Sequence, residues 1–154
     1  MDSGSNPERG TIIITLEQPN INYVRTLYTF IDENREYYST LVWAKSCTEE
    51  SLLGFFKHKE TTNDIIKFIC LDNMPIGVID GRVSADVIDI GFWIAKQYSS
   101  YGYTTAGVKI FTTDVNARVF TARALKTNIE SNRVLEKAGF DKIRTDYLFH
   151  HYSF

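Results

Sequence analysis

The sequence predicts a single α/β domain, an α+β mixed sheet that is rich in antiparallel pairs and flanked by helices. Three observations predict it. Asp64 to Ile94 holds three runs of β-forming residues separated by short turns, too short for crossover helices. On either side of it, apolar residues recur at three- and four-residue spacing, the helical period. The chain has 154 residues, 44% hydrophobic and 23% charged, as one soluble globular domain would have. A domain of this length buries roughly two thirds of the surface its unfolded chain exposes.

The elements follow in order. Met1 to Gly10 is polar and reads as a loose tail before a domain spanning 11–154. Thr11 to Glu17 is β-branched and predicts a strand. Asn20 caps a helix carrying Ile21, Val24, Leu27, Tyr28 and Ile31. Thr48 caps a second, with Glu49 and Glu50 in the first turn, where the helix dipole favours negative charge. Strands follow at Asp64–Leu71, Ile76–Val83 and Val87–Ile94, with turns at Asp72-Asn73 and Ser84-Ala85-Asp86. A Ser/Gly loop leads into a helix carrying Tyr103, Ala106, Ile110 and Phe111. Val119 to Leu125 predicts a strand. Asn128 caps a helix that Gly139 ends as its C′ residue. Phe140–Ile143 and Tyr147–Phe154 read as two closing strands; the second, if it forms a sheet edge, needs a cover, and a homodimer would supply one.

Composition excludes several classes of function. The formal charge of −2 gives no basic face for wholesale nucleic-acid binding. The longest apolar runs, Thr11–Leu16 and Ile65–Leu71, are too short to span a membrane. No apolar segment follows Met1, so no signal peptide is read and a cytoplasmic location is expected. Cys47 and Cys70 form no CxxC pair and have no histidine at metal-ligand spacing, so no metal is expected. Cys70, inside an apolar run, reads as a buried free thiol.

Two segments carry candidate chemistry. The first is the strand–loop–helix from Ile90 to Ala106. A helix N-terminus offers unpaired amides and a positive dipole end, which suit a phosphate, and Gly102 lets a ligand approach the backbone. A capped surface helix explains the segment as well. The second is Asn128 to Phe140. Asn128 reads as an N-cap and Ser131 as a solvated first-turn residue. If the two strands leading into these segments are neighbours, both side chains instead stand beside the first segment.

Asn128-x-x-Ser131-x-x-Val134-Leu135-x-Lys137-x-Gly139-Phe140 resembles the C-terminal signature of GNAT N-acetyltransferases, in their RimJ/RimL-like branch. Ile90-Gly91-Phe92-Trp93-Ile94 resembles that branch's fourth strand, and Ile31 to Glu36, followed by Trp43, its N-terminal helical region. The match runs in order from about Thr11 to Phe140. It implies a GNAT-like fold with acetyl-CoA held where the fourth and fifth strands splay. Backbone groups of Trp93, Ile94 and Ala95 would pair with the pantetheine arm. The amides of Tyr101, Gly102, Tyr103, Thr104 and Thr105 would hold the pyrophosphate, Asn128 would hydrogen-bond the cofactor, and Ser131 would protonate the leaving thiolate. In the pyrophosphate loop, Ser99 to Thr104, only Gly102 keeps the family pattern. A second reading is therefore a catalytically weak or inactive CoA-binding or interaction module.

The implied acceptor is a primary amine, on a protein N-terminus or a small molecule. A lysine gives up about 4.6 kcal/mol to become neutral at pH 7, an α-amine only about 1.1 kcal/mol. Asp89, at the start of the Ile90–Ile94 strand, is the best-placed base in the sequence, and pairing with Arg82 is its competing explanation. His150 and His151 point to opposite faces of the last strand. With no stronger base, the residues favour an α-amine. Tyr37, Tyr38 and Trp43 either line an acceptor pocket or pack against the sheet.

Overall fold

A computed structural model describes residues 12–39 and 41–154. The tail expected at 1–10, and Thr11 of the first predicted strand, lie outside the described residues. The chain runs through β1 (Ile14–Glu17), α1 (Val24–Glu33), α2 (Val42–Lys45), α3 (Glu49–Lys59), β2 (Ile65–Leu71), β3 (Met74–Ser84), β4 (Val87–Ile94), α4 (Tyr103–Asp114), β5 (Val119–Leu125), α5 (Ile129–Lys137), β6 (Asp141–Thr145) and β7 (Phe149–Ser153). This is the predicted order plus α2, whose four residues are too few to show a period. The helix starts follow their caps. Asn20 accepts the amide of Asn22 ahead of α1, and Thr48 and Ser51 cap α3 reciprocally.

One seven-stranded sheet has the order β1-β2-β3-β4-β5-β7-β6. Every neighbouring pair is antiparallel except β4 and β5. β3 starts earlier than the sequence suggests, taking in Met74 and Pro75. A bulge opposite Ile69 and Cys70 accommodates the proline, which has no amide for the ladder. β7 starts later than expected. Asp146 Oδ1 accepts the amides of Leu148 and Phe149, which draws Tyr147 and Leu148 into the turn. β7 also lies inside the sheet, so the edge strand at that end is β6, which carries Asp141, Lys142 and Arg144. Charges of this kind blunt an edge against further pairing.

Two apolar layers clasp the sheet. On one face, Ile79, Ile88, Ile90 and Tyr152 pack against Val108 and Phe111 of α4 and Leu135 of α5. On the other, Ile66, Phe68 and Val78 pack against Leu27 and Ile31 of α1 and Leu52 and Phe56 of α3. Cys70 lies fully buried in this second layer, and burial pushes its thiol up to about 12.

The parallel pair positions the site. β4 and β5 are in register only from Val87 opposite Val119 to Asp89 opposite Thr121. Beyond that they part, β4 staying with β3 as far as Ile94 and β5 with β7 as far as Leu125. The result is a wedge-shaped gap in the sheet, open at the carboxyl ends of both strands.

Candidate active site

Strand alternation decides which backbone groups face the gap. Ala95 donates its amide to the Ile76 carbonyl at 2.7 Å, which sets the phase of the β3/β4 ladder. Counting back along β4, Trp93, Gly91 and Asp89 direct their amides and carbonyls to β3, Ile90 borders Thr121 at the end of the parallel pairing, and Phe92 and Ile94 direct their backbone groups into the gap. On β5, the mutual bonds of Phe120 with Phe154 turn Arg123 and Leu125 to the gap. The Ile94 carbonyl is taken by the Tyr38 hydroxyl and the Leu125 carbonyl by the Asn128 amide and Asn132, so the backbone of Phe92 and the Ile94 amide are the β4 groups that face the gap without a strand partner, and they suit an extended ligand with amides of its own. Of the three residues read for this role, Ile94 faces the gap, whereas the backbone of Trp93 and the amide of Ala95 belong to the β3 ladder. Phe92, not singled out from the sequence, faces the gap. Only the phase of the ladder, which a sequence does not display, identifies it.

Beyond β4 the chain forms the loop that enters α4. Ser100 and Gly102 both take positive φ, 67° and 85°, and Gly102 is the N-cap of α4. Nothing lies within 4 Å of where a Gly102 Cβ would project. The amides of Tyr103, Thr104 and Thr105 therefore open on a clear approach at the positive end of a twelve-residue helix. Tyr101 is exposed and stacks on Tyr103, their ring centroids 5.5 Å apart. The Thr104 side chain is buried, which leaves only its backbone for a ligand.

Across the gap, β5 leads into α5. Asn128 Oδ1 accepts the Ser131 amide at 3.1 Å, the predicted cap. Among the described residues, the Asn128 side-chain NH2 and the Ser131 hydroxyl have no hydrogen-bond partner and are free to donate. Asn132 pins this corner. Its Nδ2 donates to the carbonyls of Leu125 and Asn128 at 2.9 and 2.8 Å, and its Oδ1 accepts the Tyr152 hydroxyl at 2.6 Å.

Glu130 joins the two walls. One carboxylate oxygen accepts the Ser100 hydroxyl at 3.1 Å, and the other accepts the Tyr37 hydroxyl at 2.7 Å. So the loop before α4 and the N-terminus of α5 are neighbours, as the two candidate segments require. Burial and the bond to Glu130 raise the Tyr37 pKa, which keeps the phenol protonated and donating. An aromatic row continues from there: Tyr37 meets Tyr38 edge-on, Tyr38 meets Trp93, and Trp93 meets Trp43, with centroids 5.0, 6.1 and 5.9 Å apart. Tyr38 is buried and donates to the Ile94 carbonyl at 2.8 Å. Burial raises its pKa too. In sequence Glu130 looks like an ordinary acidic residue of a first helical turn, and no local signal marks it out.

Asp89 lies where β4 and β5 are still paired, on the same sheet face as Gly91 and Trp93, because no bulge breaks the β3/β4 register. Its two oxygens take the Arg82 guanidinium and the Thr121 hydroxyl. Thr121 is four residues back along β5 from Leu125, about 13 Å of strand. His150 and His151 take opposite faces, His150 bonding Thr145 and His151 bonding Asp146.

Residues 14–141 match the family model described as an acetyltransferase (GNAT) domain. No curated protein sequence matches the chain. Among solved structures, the chain is similar to the microcin C7 self-immunity acetyltransferase MccE in complex with acetyl-CoA and AMP, at 19% identity and a TM-score of 0.78 over 91% of each chain. It is also similar to RimL, a ribosomal L7/L12 α-N-protein acetyltransferase, in complex with coenzyme A, at 17% identity and a TM-score of 0.79 over 93% of this chain and 97% of that one. The RimJ of Mycobacterium smegmatis with a CoA disulfide gives 16% identity and a TM-score of 0.76 over 92% and 81%. These likenesses show a shared fold, and they agree with the RimJ/RimL-like resemblance of the sequence. With its splayed parallel pair and a family match over most of its length, the chain belongs to the GNAT acetyltransferase family and is an N-acetyltransferase with acetyl-CoA as its acetyl donor.

Proposed function

We propose that the chain moves the acetyl group of acetyl-CoA to an α-amine, at a protein or peptide N-terminus. The observation that carries this reading is that the free Ser131 hydroxyl and Asn128 side-chain amide stand on one wall of the gap, opposite the stretch of β4 that β5 leaves and beside the amides at the start of α4.

Each residue has a task under this reading. The backbone of Phe92 and the amide of Ile94 pair with the pantetheine arm, the Ile94 carbonyl being held by Tyr38. The amides of Tyr103 to Thr105 hold the pyrophosphate, and the open approach at Gly102 admits it. Ser99, Ser100 and Thr104 replace the family's usual loop side chains, but the backbone donors do not depend on them. Asn128 donates to the cofactor. Acetyl-CoA supplies the activated carbonyl, and the Ser131 hydroxyl gives its proton to the thiolate that leaves while it regains one from the nitrogen that becomes the amide, a contribution on the order of 10²–10⁴-fold for a placed acid. Asp89 serves as a tie between β3 and β5, since both of its oxygens are engaged. With Asp89 so occupied, an acceptor that is partly neutral at pH 7 is favoured, which is the property of an α-amine. The similar structure RimL is described as a ribosomal L7/L12 α-N-protein acetyltransferase, which supports this acceptor.

The test compares thiol release from acetyl-CoA with two peptides, one with a free α-amine and no lysine, the other N-acetylated with one lysine. Faster turnover of the first is expected, with Ser131→Ala losing at least tenfold in kcat. Faster turnover of the lysine peptide would overturn the assignment of the acceptor.

A further inference from the structure

We propose that Glu130 receives the protonated amine of the acceptor and is a specificity-determining residue for it. The inference rests on the reading above, that the chain acetylates an α-amine, and it names the group that selects that amine.

Four observations lead to it. Glu130 bridges both walls of the gap, to Ser100 of the loop before α4 and to Tyr37 of the segment after α1. Asp89, the other carboxylate considered for the site, is taken up by Arg82 and Thr121. Glu130 stands at the head of the aromatic row Tyr37, Tyr38, Trp93 and Trp43. A carboxylate beside aromatic faces suits an ammonium, which gains an ionic hydrogen bond and a cation–π contact together. Finally, the wall already holds an ammonium: Lys96 Nζ lies 5.9 Å from the centroid of the Tyr37 ring. Lys96 is exposed on a flexible stem and can turn to solvent when an acceptor arrives.

Glu130 has the geometry of a receiver. Its bond to Tyr37 fixes one oxygen. The other is held by a serine hydroxyl, a neutral donor, and an ammonium makes the stronger, charge-assisted bond. The amine thus binds as the cation beside the gap and gives its proton to solvent water before it attacks. Lysine and α-amine both carry the charge, but the α-amine gives it up more readily near pH 7.

The test uses Glu130→Gln, which keeps a hydrogen-bonding side chain of the same size toward Tyr37 and Ser100 and removes the charge. The reporter is intrinsic fluorescence, since the two tryptophans, Trp43 and Trp93, both lie in the aromatic row. The CoA-loaded protein is titrated with an alanine tripeptide amide and with its N-acetylated form. In the wild type the free amine is expected to bind at least tenfold tighter than the acetylated peptide. In Glu130→Gln that preference is expected to fall below threefold, with KM for the amine up at least tenfold, kcat within threefold and acetyl-CoA affinity within twofold. A merely structural role would not move the preference for charged over acetylated peptide. An unchanged KM, or a loss confined to acetyl-CoA binding, overturns the inference and leaves the acetyltransferase reading standing. A wild-type protein that acetylates lysine peptides but no α-amine overturns both.

Discussion

Replacing Asn132 by alanine tests how the active-site corner is held. Three hydrogen bonds are lost, to the carbonyls of Leu125 and Asn128 and from the Tyr152 hydroxyl. The two carbonyls are not orphaned, because Leu125 still accepts the Asn128 amide and Asn128 still accepts the Asn132 amide. The Tyr152 hydroxyl is the exposed weakness, since Tyr152 is fully buried. An unsatisfied buried hydroxyl costs about 1–3 kcal/mol, and each lost bond to a carbonyl that keeps another partner costs about 0.5–1 kcal/mol. The expected loss is about 3 kcal/mol, which for a domain of this size lowers Tm by roughly 6–12 °C. Tyr152→Phe alone leaves two of the three bonds and is expected to cost about 1–2 kcal/mol. In the double variant the orphaned hydroxyl is gone, so the cost falls short of the sum by about 1 kcal/mol. Urea denaturation of the four proteins gives the cycle. A loss below about 1 kcal/mol for Asn132→Ala, or strict additivity in the double variant, would refute the reasoning.

Further outcomes are expected. Gly102→Ala must hold a left-handed φ, at about 1 kcal/mol, and puts its methyl group into the clear approach, so Tm should fall by roughly 2–4 °C and calorimetric titration should show acetyl-CoA bound at least threefold more weakly. Gly139→Ala adds to its own positive φ a methyl 3.0 Å from the Phe154 ring, and should lower Tm more than Gly102→Ala while leaving acetyl-CoA affinity alone. The Asp146 carboxyl is held well below the usual carboxylate range by His151 and by the amides of Phe149 and Leu148. Its contribution is present above the unfolded carboxylate value of about 3.9 and is lost as pH falls through the folded value. Asp146→Asn should therefore lower Tm at about pH 6 and make progressively less difference below about pH 4, as melts across that range would show. A thiol reagent should find both cysteines in denaturant and react slowly with the native chain, because Cys47 and Cys70 are buried.

Much of the fold was legible because its signals are local. The limits of β4 and β5 were readable from runs of β-forming residues, and the caps at Thr48, Asn128 and Gly139 from side-chain chemistry within one turn. What escaped the sequence depends on long-range pairing. The last predicted strand was read as a possible edge, yet β7 inserts between β5 and β6, a choice made by partners far apart in the chain. The candidate site divides in the same way. Asn128, Ser131 and Gly102 were read as candidates from a motif, and the fold brings their segments together. Whether Trp93 or Phe92 faces the gap depends on ladder phase, and the bridge from Glu130 to Tyr37 spans 93 residues. For Asp89 the pairing with Arg82 was legible from the hairpin spacing, and the bond from Thr121, on a strand 32 residues away, was not.

The inserted position of β7 also bears on the order in which the chain can assemble during synthesis. β1 to β4 form a meander whose neighbours emerge one after another, and they can pair as they appear. β5 cannot do the same, since its contact with β4 is confined to Val87–Asp89 and its long partner is β7. β6 emerges before β7 and has no other neighbour, so it must wait unpaired until Phe149–Ser153 arrives between the two. A chain that has emerged only as far as Leu148 holds a finished first half beside a second half with no middle strand. Vectorial folding therefore completes the wall at β5 and α5 after the loop wall at β4 and α4, and the edges of β5 and β6 stay open until Phe149–Ser153 has emerged.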